Sequence, residues 1–319
     1  MAEPMPDGAG RPPASSPAAR RKTLALVALG LALAGAGGLL LATRVRPPLP
    51  AAPATPAAPP KVRPELRVLS VTGPVERSAV GGAWLKVGTG DVLLPDQQLR
   101  AGPGARAELA ADRARVVVAD RTHVLVRELS DDVHRFQLSR GLVTVDYPAD
   151  AAQRVRVEAP TGDAIAESRG ARFHVSANGL VFAVATATGK VDVTAAGTTV
   201  AVGAGQLSLV GRAGVPTPPR PIPTEVLLKI AAASTLSPGK CLDTTGRTDP
   251  SSRVTVDGEE AQVGEDGRFP IRVAGPRPDG VVVRVVAPDG RELVRNLPCG
   301  KDPAARIRDL RMRWSRGDP

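Results

Sequence analysis

The sequence predicts an all-β protein: one elongated multi-strand domain and one small β-sandwich-like domain, preceded by a single transmembrane helix. Three observations carry that expectation. From Leu66 to about Val210, short apolar runs alternate with polar residues, the period of a half-buried strand. Gly, Pro or Asp cut those runs at intervals of roughly ten residues, as in sandwiches, barrels and solenoids. No helical periodicity competes within the stretch.

The runs follow in order at 66–71, 83–87, 105–110, 115–119, 123–129, 141–147, 154–159, 171–176, 180–187, 190–195, 198–203 and 205–211. A Pro-rich break at 215–223 ends this domain. Residues 224–234 suit a short helix or a connecting strand, and a helix is expected. A final unit opens at Cys241 and carries hairpin signals at Asp257–Gly258, Asp266–Gly267 and Asp289–Gly290, because Gly accepts positive φ at low cost. The tail at 301–314 alternates again, with Ile307 and Leu310 placed to point inward. It is expected to add a last strand.

Composition limits what the core can be. Aromatics make up 2% of the 319 residues: Trp84, Trp314, Tyr147 and four Phe. The core must be built from Val, Leu and Ala, and stacking platforms for single-stranded nucleic acid are scarce. The net charge is +10, which suits nucleic acid, anionic lipid or an anionic wall polymer. Yet the charges are dispersed along strands, as in Arg154–Val155–Arg156–Val157, which reads first as solvated strand faces. No recognition-helix pattern appears, which argues against DNA.

Residues 23–42 contain no charge, and their length suits a helical span of the bilayer core. Arg20, Arg21 and Lys22 precede the span, while Arg44 and Arg46 follow it. The balance leans towards a cytoplasmic N-terminus. A cleaved signal peptide is the rival reading, with Ala42 as its best small-residue site and Leu40 at its −3 position. The apolar run is long for a signal core, so an uncleaved anchor is favoured. Both readings export everything that follows. Residues 1–22 are Pro/Ala/Arg-rich, too short to bury a core. Residues 43–65 read as a semi-rigid polyproline spacer.

The chain has two cysteines, Cys241 and Cys299, bracketing the last unit. Two thiols without a nearby His make a poor metal site, and no C-x-x-C is present. A structural disulfide closing residues 241–319 fits an oxidising compartment. It would add on the order of 4 kcal/mol by loop closure.

No catalytic constellation emerges, and no cofactor or metal is expected. His123, His134 and His174 lie in strand-like runs and are expected as exposed strand or turn residues. Asp131 and Asp132 beside His134 do not complete the three or four ligands that zinc needs. Gly189–Lys190 lacks the upstream glycine of a phosphate loop and reads as a turn before a strand. The acidic groups near Asp257 and Asp266 lack calcium-loop spacing. No Ser sits in a G-x-S-x-G elbow.

An ordered set of phrases resembles the FecR domain across 66–211. Val71-Thr-Gly73-Pro-Val75 opens it, followed by Val87-Gly88-Thr89-Gly90-Asp91 and by Arg100-Ala-Gly102-Pro-Gly104-Ala-Arg-Ala-Glu-Leu109. Gly141–Val145 and Ala159–Gly162 come next, then Arg169-Gly170-Ala171-Arg172-Phe173-His174-Val175, where the family usually has R-G-T-x-F-x-V. Gly189–Val193 and Gly203–Gln206 close the set. Ala171 in place of Thr is the clearest departure. The resemblance implies an elongated periplasmic β module on a bacterial inner-membrane anchor, and a binding role. Residues 1–22 are too few for the helical sigma-binding domain of the best-known members. The C-terminal unit is similar to small Ig-like or carboxypeptidase-regulatory-like β modules, through Val254–Gly258 and Asp266–Phe269.

The expectation is therefore a non-enzymatic, single-pass envelope protein, periplasmic in bulk, that binds another envelope protein. The alternative is an anionic-polymer binder, for peptidoglycan-associated polymer or lipopolysaccharide, using Arg154, Arg156, Arg306, Arg308, Arg311 and Arg313. No nucleic acid and no small-molecule substrate are expected.

Overall fold

The computed structural model describes residues 65–299, apart from 112, 150–152, 232–239 and 276. The expected tail, membrane span and last strand, and nearly all of the proline-rich spacer, lie outside the described residues. So do Arg306, Arg308, Arg311 and Arg313. Among the described residues no helix is long and apolar enough to cross a membrane.

Sixteen strands from Leu66 to Pro221 pair into one continuous sheet, which works as two layers. In the first, Ala171–Ala177 lies between the early half of Phe182–Ala195 and the late half of Val133–Tyr147. In the second, Thr122–Leu129 and Arg154–Glu158 flank the early half of Val133–Tyr147. The 133–147 and 182–195 strands thus belong to both layers. A strand can change sheets only by bending at a corner, and glycine sits at both corners. Gly141 has φ +102°, and a Cβ there would lie 2.4 Å from the Cα of Thr122. Gly189 has φ +78°, and its Cβ would lie 2.4 Å from the Gly170 carbonyl oxygen.

Between the layers lies one apolar core. Val116, Val143, Phe173 and Val175 enter it from the first layer, and Val126, Phe136, Leu138, Val155 and Val157 from the second. All of these are buried because period-two alternation sends every second side chain to one face.

Two differences from the sequence reading arise here. Residues 180–187 and 190–195 were expected as two strands with a turn at Gly189. They form one strand, Phe182–Ala195, and Gly189 bends it without ending it. The helix expected over 224–234 is absent from 224–231, while 232–239 lie outside the described residues. Val226, Leu228 and Ile230 instead pack on the second core. Their spacing of two is a strand period, and Lys229–Ile230 pairs with Arg247 and Gly246.

The C-terminal unit holds a three-stranded and a four-stranded sheet. Its core gathers Leu242, Val254, Phe269, Ile271, Val283 and Val285 around buried Cys241. Cys241 and Cys299 are disulfide-bonded, 58 residues apart in sequence. Asp257 (φ 50°) and Gly258 (φ 84°) supply the turn into Glu259–Ala261. Two consecutive positive φ values are the mark of the tight hairpin turn that this Asp–Gly pair predicts.

Candidate functional site

Strand parity decides where the chemically active side chains go. In Val133–Tyr147, His134 shares parity with Phe136 and Leu138, and all three are buried. His134 is therefore no exposed strand residue. Its Nδ1 hydrogen-bonds the Tyr147 hydroxyl, and the two rings meet edge to face, 5.8 Å apart. His174 is also largely enclosed, with Nδ1 2.9 Å from Thr144 Oγ1. Burial lowers its pKa; Arg172 acts the same way and Asp289 opposes them.

His123 has the opposite parity from Val124 and Val126 and stands on the outer face of the second layer. Its Nε2 lies 2.9 Å from Gln98 Oε1. Beside it, the Arg100 guanidinium lies 4.1 Å from the Trp84 ring centroid. Trp84 also meets the His123 ring edge-on at 5.8 Å. Arg100 Nε donates to Glu76 Oε2 at 2.7 Å, which fixes the guanidinium plane over the indole. Partial burial lowers the His123 pKa, reinforced by Arg140 and Arg100.

Trp84 is the exception among the described aromatics. Phe136, Tyr147, Phe173, Phe182 and Phe269 are all buried, while Trp84 is left half-exposed. Its neighbours in the hairpin, Val80 and Leu85, are 62% and 60% exposed. A large aromatic held by a stacked Arg, in a hairpin that also exposes aliphatic side chains, has the composition of a protein-binding hot spot. The sequence reading missed this cluster. Trp84 was visible as one of two tryptophans, but its stacking partner comes from a strand that the alternation did not reveal.

Arg154 and Arg156, read from the sequence as candidate contacts, face outward and have carboxylate partners. Arg156 Nε and Nη2 lie 2.8 and 2.6 Å from Glu167 Oε2. Arg154 Nη1 lies 3.4 Å from Glu167 Oε1. Arg156 also approaches Glu158 at 3.8 Å. Among the described residues no group of three or more His, Cys, Asp or Glu is placed to hold a metal ion.

A second polar cluster joins the C-terminal unit to the β body. The turn Asp120–Arg121, with Arg121 at φ 51°, projects Asp120 at Arg253 and Arg284. Arg121 donates to the Gly258 carbonyl oxygen, and Arg140 lies 3.5 Å from Glu260. Asn178 Nδ2 donates to the Pro250 carbonyl oxygen at 3.0 Å, and Ser176 Oγ to that of Ser251 at 3.2 Å.

Residues 97–206 match the family model described as FecR protein. No curated protein matches the sequence. Two crystal structures of a candidate anti-sigma factor from Parabacteroides distasonis are similar at 19% and 18% identity, each with a TM-score of 0.35. Each alignment covers 39% of this chain and 59% of the other, so the chain spans less than two thirds of their length.

Proposed function

Residues 97–206 form a FecR domain, and from that premise we propose that the chain is a non-enzymatic signalling protein of the bacterial envelope. In this reading it is held in the inner membrane by residues 23–42, with its N-terminus cytoplasmic and its β domains periplasmic. It binds another envelope protein through the FecR domain. The FecR kind of protein is regulatory, which supports signalling over catalysis.

The observation that carries the binding reading is the half-exposed Trp84 with Arg100 stacked on it. A Trp–Arg anchor in a hairpin that also exposes Val80 and Leu85 offers desolvation and orientation at one spot, which a protein partner uses best. A polyanion would instead seek unpaired cations, and Arg154 and Arg156 are engaged by Glu167.

The test is Trp84→Ala in the full-length chain, with a photo-crosslinker placed at Leu85. Wild-type chain should give a discrete crosslinked protein from intact envelopes, and the variant should lose at least tenfold of it. An unchanged crosslink at an unchanged unfolding midpoint refutes the Trp84 surface. A crosslink that vanishes in 0.5 M salt, and only then, would favour a charge-driven contact.

A further inference from the structure

Sheet edges invite unwanted pairing, so natural proteins blunt them with shortness, charge or proline. Eight strands in the described residues have a paired neighbour on one side only. Seven are blunted. Leu85–Lys86, Val92–Leu93, Arg220–Pro221 and Lys229–Ile230 are two residues long. Glu259–Ala261 has two glutamates in three residues. Arg268–Ala274 carries Arg268, Pro270 and Arg272, and Glu292–Leu297 carries Glu292 and Arg295.

The eighth edge is Thr198–Gly203, six residues with no charge and no proline. It lies inside a longer run, Val193 to Gly211, that also lacks any charged residue, in a chain where 23% of residues are charged.

Its outward hydrogen-bonding groups can be assigned. The strand is reached through Ala196 (φ 46°) and Gly197 (φ 74°), the pattern of a type I′ hairpin. That turn makes its flanking residues, Ala195 and Thr198, a hydrogen-bonded pair. With the observed register, Thr198, Val200 and Val202 bond inward to the 190–195 segment. Thr199, Ala201 and Gly203 then turn their N–H and C=O groups to the free edge. The Gly203 N–H is already taken by Gln206 Oε1 at 2.9 Å. Thr199 and Ala201 are left as the pairing positions.

The side chains add specificity. Val202 is buried, while Val200 is half-buried and packs on the margin of the core. An added strand that sets an aliphatic residue beside Val200 would carry the core one strand further.

We propose that Thr198–Gly203 is a second docking site, where an extended, uncharged segment of a protein partner adds as a further strand. Main-chain bonds to Thr199 and Ala201 would supply affinity, and the Val200 margin would select an alternating aliphatic sequence. A charged partner segment would gain nothing from this neutral edge. A second copy is disfavoured, because two chains of +10 repel each other. The site is distinct from Trp84, at the opposite margin of the same layer, so the two tests fail independently.

The probe is an end-capped heptapeptide alternating Val and Thr, N-methylated along one edge to prevent self-stacking. Bound to the full-length chain, it should slow hydrogen exchange at the Thr199 amide at least tenfold. Ala201→Pro removes an outward N–H without removing a ladder bond and should abolish the protection. Ala201→Val should keep it. Ala201→Lys, which leaves all backbone bonds in place and sets a charge on the edge, should abolish it too, and it substitutes if the proline variant does not fold. Absence of protection in the wild type overturns the proposal, as does equal protection in Ala201→Lys. A dimer of the full-length chain that Ala201→Lys converts to monomer overturns it as well, because a second copy would then fill the edge.

Discussion

Arg253 of the C-terminal unit reaches into the β body and holds Asp120. Its Nη1 donates to the Asp120 carbonyl oxygen at 2.7 Å, and its Nη2 lies 3.2 Å from Oδ1. The Arg253 side chain is 6% exposed. Burial lowers its pKa, and the charge and hydrogen bond of Asp120 oppose that shift. The two residues are 133 positions apart, so this contact ties two separate cores together.

Asp120 also has Arg284 at 3.5 Å, so the member that can be stranded is Arg253, and stranding a buried charge costs about 3–5 kcal/mol. Asp120→Ala should lower the stability of the full-length chain by about that much in chemical denaturation. Adding Arg253→Met to Asp120→Ala should recover a large part, because no buried charge is then left alone. A double variant as unstable as the sum of the single variants would show that the pair does not interact.

Gly141 and Gly170 call for different explanations, and their substitutions should reflect that. At Gly141 both the backbone (φ +102°) and the space beside Thr122 exclude a side chain. Gly141→Ala should destabilise the β body by more than about 3 kcal/mol, since strain and overlap add. At Gly170 the need is for space, because a Cβ would lie 2.5 Å from the Ala149 Cα. Gly170→Val should fail to fold, whereas Gly162→Ala, at φ +73° but with open space around it, should cost only about 1 kcal/mol of backbone strain. Unfolding midpoints of Gly141→Ala and Gly162→Ala, and the absence of a cooperative transition in Gly170→Val, check the order.

The strands that could be read from the sequence are those whose large apolar residues all point one way, such as 154–158 and 171–177. Ala164–Ser168 escaped because its inward positions are Ala164, Ala166 and Ser168, while Ile165 points outward. The start of Val133–Tyr147 escaped because its first inward residue is His134. In 224–230 the strand spacing of Val226, Leu228 and Ile230 is blurred by the adjacent Leu227 and by the three alanines that follow, which suit a helix as well. The Cys241–Cys299 bond was legible, since two cysteines allow one pairing. Asp120–Arg253 and Trp84–Arg100 were not, because such contacts form only after distant strands meet.

Acid should weaken the fold through His123 and His174. Both have pKa values lowered by burial, further lowered by nearby arginines; Asp289 partly offsets this at His174. Above about pH 6.5 both rings are neutral in the folded and unfolded chain and contribute nothing. Below it the unfolded chain takes up protons that the folded chain resists, so stability falls as pH drops from 6.5 towards the lowered folded values. The denaturation midpoint should fall between pH 7 and 5.5. His174→Gln should flatten that slope, and an unchanged slope would remove His174 from the explanation.

His174 also marks where the two cores touch, which makes the disulfide a coupling element. A Cβ on Gly290, in the Asp289–Gly290 turn, would lie 3.7 Å from the Leu142 Cδ2 and 3.8 Å from His174 Nδ1. That turn ends the strand beginning at Val281, whose partner strand leads to Cys299. Loss of the bond by Cys299→Ser should cost the C-terminal unit about 4 kcal/mol through loop entropy. The β body has its own core, so residues 66–211 should stay folded. Their contact with the C-terminal unit should nevertheless loosen. Hydrogen exchange of the full-length variant should then show faster exchange through 253–297 and at the Arg121 turn, with 133–147 and 171–177 still protected. Uniform loss of protection across both cores would show that the C-terminal unit is required for the β body to fold. Unchanged protection at Arg121 would show that the Asp120–Arg253 contact survives without the disulfide.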